Sequence, residues 1–192
     1  NTTGTGNNAV GYNSLDANTT GNYNEAFGES ALTAVTTGSQ NIGIGRGAGG
    51  AITSASNNVA VGYLSLQQGT TGASNTAVGA NTLQANTTGA QNTAVGAYAL
   101  DANTTGTYLT GIGHNALGGN TTANYNTAVG WNSMIANTTG EDSVAVGYNV
   151  LNSNTTGAQN TAVGFQSLGA NTTGTSNTAV GKSALAANIT GS

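Results

Sequence analysis

Asn75 to Gly89 reads NTAVGANTLQANTTG, and the unit returns as Asn92 to Gly106, NTAVGAYALDANTTG, and as Asn160 to Gly174, NTAVGFQSLGANTTG. Two variable residues separate adjacent copies, so that the starts at residues 75 and 92 lie 17 apart. Asn7, Asn24, Asn41, Asn58, Leu109, Asn126, Ser143 and Asn177 fall on the same grid without an insertion or deletion. A fixed period held along a whole chain is the signature of a solenoid, in which each copy is one coil stacked on the next. Residues 1–192 therefore read as one continuous array, eleven copies plus a partial one.

Aligned on this period, the copies become columns. The residue before the first invariant Gly is always apolar and mostly β-branched, as at Val78, Val95 and Val163. A second apolar column runs through Leu83, Leu100 and Leu168 and is broken only by Gly49. These two columns are the predicted core ladder. The residue before each Val is Ala77, Ala94 or Ala162, with Gly43 and Gly111 as the only other choice in the column. On a strand, Ala77 and Val78 point to opposite faces, so the small column is expected to meet a second chain closely. Gly79, Gly96 and Gly164 form an invariant turn column that calls for positive φ or close backbone approach. One Val and one Leu per coil bury little apolar surface against the entropy of ordering the coil. Burial against other chains is the natural remainder, and three chains side by side is the expected assembly.

The Asn-Thr-Thr-Gly segment is a turn signal, and Gly recurs too often for a helix. Short parallel strands joined by Gly/Asn turns fit best, an all-β solenoid whose eleven rungs at about 4.8 Å make a rod about 50 Å long. The pattern slips once: Arg46-Gly47-Ala48-Gly49-Gly50 replaces the usual polar-small-Leu run, and Val35, Ile52 and Gly69 replace the turn Asn. A softer or wider rung is expected around residues 46–52.

Composition excludes several function classes. Only 4% of the chain is charged, its net charge is −4, and Arg46 and Lys182 are its only basic side chains besides His114. Phosphate contacts need Lys and Arg, so nucleic acid is not an expected partner. No basic amphipathic stretch or long apolar run signals membrane insertion. The absence of Cys rules out disulfides and thiolate metal sites. The chain begins at Asn1 and ends at Ser192, each inside a copy, and reads as a segment of something longer.

Asn75 to Gly79, Asn92 to Gly96 and Ser143 to Gly147 (SVAVG), with the Asn-Thr-Thr-Gly that follows, resemble the head repeats of trimeric autotransporter adhesins. Similar repeats occur in phage tail fibres and bacterial surface proteins. The resemblance spans the chain and implies a parallel β-roll, three chains wide, in an extracellular, cell-surface or virion fibre used for attachment. The repeat here is longer than the adhesin head's, and no coiled-coil stalk or membrane anchor accompanies it.

Catalysis finds little support. His114 stands in a variable column, the six acids are mostly scattered, and no nucleophile, base and orienter are fixed together. Glu141-Asp142 lacks the acidic density of a calcium loop, so neither metal nor other cofactor is expected. The column after the invariant Gly accepts every side-chain chemistry and must face solvent. It places Trp131, Tyr148 and Phe165 on three successive rungs as candidate glycan contacts, against the simpler role of cross-rung stabilisation. Tyr108 and Tyr125 pose the same choice. Nine Asn-Thr-Thr or Asn-Ile-Thr sequons are better explained as turn Asn followed by strand Thr than as glycan acceptors. Ice binding is a distant alternative: it wants two outward Thr ranks, whereas adjacent Thr87 and Thr88 on a strand point oppositely. The expected role is a non-catalytic fibre segment that partners itself as a homotrimer or filament. A carbohydrate-binding module for host or neighbouring-cell glycans is the rival.

Overall fold

A computed structural model describes residues 1–192. It is an all-β parallel solenoid with a single sheet of eleven three-residue strands. They are β1 (Asn8–Val10), β2 (Glu25–Phe27), β3 (Ile42–Ile44), β4 (Val59–Val61), β5 (Thr76–Val78) and β6 (Thr93–Val95). The series continues with β7 (Thr110–Ile112), β8 (Thr127–Val129), β9 (Val144–Val146), β10 (Thr161–Val163) and β11 (Thr178–Val180). Each strand pairs in parallel with the next, Ala77 opposite Ala94 and Val78 opposite Val95, so every column of the sequence is a ladder in space. The remaining residues of each coil turn back beneath the sheet, their backbone groups bonding from rung to rung as Thr87 N–H does to the Thr104 carbonyl (2.9 Å).

The strand face that packs inward is the opposite of the one expected. Ala77, Ala94 and Ala162 are fully buried within their own coil and have no surface to give a second chain. Val78 and Val163 are half-buried and Val95 is 37% exposed, so the Val column is not a core ladder but the outer face of the sheet. Interior width decides this. The sheet's inner face lies against the Leu column so closely that, at Gly43, even a Cβ would sit 2.7 Å from Leu32 Cγ. A methyl fits there elsewhere along the rod; a valine would not. Leu83, Leu100 and Leu168 are fully buried as expected, joined by a small third column that includes Ala99 and Ala116.

Two ladders of buried Asn flank this thin core. In one, Asn75 N–H donates to Asn58 Oδ1 (2.9 Å), Asn75 Nδ2 donates to the Gly89 carbonyl (2.9 Å), and Asn92 N–H donates to Asn75 Oδ1 (3.0 Å). In the other, Asn103 Nδ2 donates to both Asn86 Oδ1 (2.9 Å) and the Gly106 carbonyl (3.1 Å). Buried amides are tolerated because each finds its partners in its own rung and the neighbouring ones. The sequon residues Asn86, Asn103, Asn120, Asn137, Asn154 and Asn171 belong to this second ladder and are fully buried, a placement incompatible with a glycan on them.

Left-handed turns close the coil. Gly79, Gly96 and Gly164 have φ of 137°, 125° and 125°, and a Cβ on Gly96 would lie 2.7 Å from the Gly113 carbonyl carbon. Here the requirement for Gly is absolute. The Leu column also has positive φ, 50° at Leu83 and 53° at Leu100, which aims each Leu side chain into the coil. The irregular rung is neither wider nor softer in its pairing. Its strand β3 keeps register with β2 and β4, and Gly49 takes the Leu conformation at φ 61°. Ile52, buried in place of the ladder Asn, fills the space: its Cδ1 would lie 3.0 Å from a Cβ on Gly49.

Candidate functional site

Three surfaces emerge from this geometry. The first is the outer face of the sheet. Strand alternation turns the first and third residue of each strand outward, so that Thr76 and Val78 head two parallel ranks along the rod. From β4 to β11 the first rank is only Thr or Val and the second only Val or Ile, without a charge. The third residue is 42% exposed at Phe27 and 39% at Ile112, an apolar stripe without a partner in the single chain. Thr87 and Thr88 lie in a bend rather than a strand, so strand alternation does not apply to them. Thr88 is exposed, while the half-buried Thr87 donates its hydroxyl to the Thr104 carbonyl (3.0 Å).

The second surface is the aromatic column, which the structure brings together as expected. Trp131 and Tyr148 stack with ring centroids 4.9 Å apart and planes 11° from parallel. Tyr148 and Phe165 follow at 5.2 Å and 5°. Lys182 Nζ lies 5.9 Å from the Phe165 centroid on the next rung. Both faces of Tyr148 and Phe165 and one face of Trp131 are therefore turned to a neighbouring ring or to the ammonium. A sugar stacks on an aromatic face, so this arrangement favours cross-rung packing over glycan contact. Two buried oxygens beside the stack, Asn132 Oδ1 and Asn149 Oδ1, have no hydrogen-bond partner. Tyr108 and Tyr125 stack likewise, at 5.1 Å and 7°. His114 sits edge-on to Tyr98, with centroids 5.7 Å apart.

The third surface was visible in the sequence only as an irregularity. Around Gly47 and Gly50 the rod carries a hollow bordered by Glu29, Arg46, Tyr63, Gln67 and Gln68. Arg46 Nε is 3.3 Å from Glu29 Oε2, and its guanidinium lies 5.8 Å from the Tyr63 ring centroid. No three His, Cys, Asp or Glu side chains gather as a metal site would need. Burial raises the Asp101 carboxyl above its ordinary range, against smaller opposing backbone hydrogen bonds. Compared with family models, curated proteins and solved structures, the chain matches none.

Proposed function

We propose that this chain is a non-catalytic rod segment of an extracellular or virion attachment fibre, built from three copies packed through the outer faces of their sheets. The observation that carries this reading is the outer face of the sheet: an apolar rank on every rung from Val10 to Val180, flanked from β4 to β11 by a Thr/Val rank without a charge. Contiguous apolar surface of this length is uncommon on a monomer and is removed from water when copies meet along the rod. A parallel array in which every coil is bonded to both neighbours also supplies the stiffness that a spacer needs.

The native mass tests it. Light scattering after size exclusion is expected to give three times the 18.6 kDa of one chain. Val95→Asp with Val129→Asp places two charges in the stripe and is expected to yield monomers with an unchanged far-ultraviolet spectrum. A monodisperse monomer from the wild-type chain would sink the trimeric fibre.

A further inference from the structure

We propose that the hollow over the irregular rung is a binding subsite for one pyranose ring. The inference needs only this chain and does not rest on the number of chains in the fibre.

On most other rungs the columns of Gly47 and Gly50 carry side chains, such as Asn132 and Asn149 in the first and Asp101 and Asn152 in the second. Glycine at both places on one rung leaves backbone as the floor. The resulting depression comprises two volumes, about 390 Å³ toward Glu29, Arg46 and Tyr63 and about 350 Å³ toward Thr33, Gln67 and Gln68. They share Ser30, Gly47 and Gln67 and so form one continuous hollow. Each volume is at the small end of ligand sites, the scale of a sugar ring, and one ring would sit where the two meet, over Ser30, Gly47 and Gln67. Since Ile52 restores the interior beneath, the hollow is a surface feature on an intact rung.

Its walls match vicinal hydroxyls. Glu29 and Arg46 set a planar acceptor beside a planar donor, 3.3 Å apart, so neighbouring hydroxyls can donate to one and accept from the other. Gln67 accepts at Oε1 from Gln84 Nε2 (3.2 Å), which orients its amide and leaves its own Nε2 donor free. Leu64 and Ala51 offer apolar contact for ring C–H groups. A phosphate would meet the Glu29 carboxylate, and a wholly apolar ligand would leave these polar groups unpaired. A third hollow, about 300 Å³ beside Gly169, is lined by Asn152, Ser153, Gln166, Ala170 and Ala186 and lacks any charged or aromatic wall.

Saturation-transfer NMR on the intact chain tests the assignment, with the methyl glycosides of glucose, galactose, mannose and N-acetylglucosamine as probes. At least one is expected to receive saturation at millimolar concentration. Gly47→Asn fills the hollow at φ 67° with the residue that other rungs carry there at similar φ, and Glu29→Gln removes the paired charge without touching the core. Each is expected to weaken binding by about tenfold or more, the first because the ring loses its space and the second because hydrogen bonds to a charged group are lost. Trp131→Ala is expected to leave binding unchanged. No transfer to any of the four glycosides, transfer that survives both variants, or transfer abolished by Trp131→Ala would each overturn the proposal.

Discussion

Two rungs of the same rod solve the same packing problem with different side chains. In the regular rung, Leu100 fills the interior and Asn103 extends the buried amide ladder. In the irregular rung, Gly49 contributes no side chain and Ile52 fills the interior from the Asn position. The backbone hardly notices: φ is 125° at Gly96 and 124° at Gly45, and 53° at Leu100 and 61° at Gly49. Leu100 N–H bonds the Ala116 carbonyl at 3.0 Å, as Gly49 N–H bonds that of Ser65 at 2.9 Å. Rung-to-rung hydrogen bonds and the turn glycines fix the path, and the interior accepts any filling of about the right volume. The ladder has its own rule. Val35, Ile52 and Gly69 replace Asn on three consecutive rungs, so the amide chain is interrupted once, as a block. In the other ladder Leu109 is the one apolar break, since Ser143 Oγ still accepts from Asn160 N–H (3.1 Å), and Asn126 N–H, whose acceptor an Asn at 109 would supply, has no partner. Interruptions cost at their ends, so clustering them is cheaper.

The largest effect should follow from making a single interruption where none exists. Asn103→Val introduces the residue that position 35 already carries. It removes the bonds to Asn86 Oδ1 and the Gly106 carbonyl and the acceptor for Asn120 Nδ2. Urea denaturation is expected to show a loss of about 3–4 kcal/mol, because buried amide groups are left unpaired. Ile52→Val, which only trims a methylene where the ladder is already absent, should cost about 0.5–1.5 kcal/mol. Equal losses would mean that the ladder contributes nothing beyond packing.

A smaller effect tests the exchange of volume between positions 49 and 52. Gly49→Leu alone overfills the rung against Leu32 and Ile52 and should cost about 1–3 kcal/mol. Adding Ile52→Asn vacates the space and supplies an amide within reach of the residue 55 carbonyl, as Asn103 reaches that of Gly106. The double variant is expected to recover stability relative to additivity by about 1 kcal/mol or more. Strict additivity would show that the two positions do not share one cavity.

Period, turn glycines, the Leu column and the solvent-facing variable column were legible because each column is sampled on eleven rungs. The parity of the strand was not. A three-residue strand with two apolar columns offers no polar alternation to orient it. The smallness of Ala77 fits a close chain contact as well as a narrow interior; only the fit of the Leu column against the sheet distinguishes them. Positive φ at Leu83 was equally hidden, because Leu seldom adopts it and composition carries no sign of it. As for sites, the sequence placed Trp131, Tyr148 and Phe165 on one face but not their ring planes. Gly47 and Gly50 read as a weakness of the rung, whereas they hollow its surface and leave its core filled.

The smallest effect separates the rungs by charge rather than volume. Asp101 occupies on its rung the column that Gly50 leaves empty on the irregular one, and burial raises its carboxyl above the ordinary range. A raised value in the fold means that the folded chain holds the proton more tightly than the unfolded chain does. The associated stability is fully present below the unfolded carboxyl value and is lost as pH rises through the raised one. At neutral pH the ionised carboxylate is thus a slight liability, reduced because the group is only half-buried and partly screened by water. Asp101→Asn should raise the melting temperature at pH 7 by less than about 2 °C, with the gain vanishing in acid as the wild-type carboxyl protonates. Melting curves across the acidic range check the sign: a gain that grows as pH falls would mean that the carboxylate is stabilised by its backbone hydrogen bonds and not penalised by its burial.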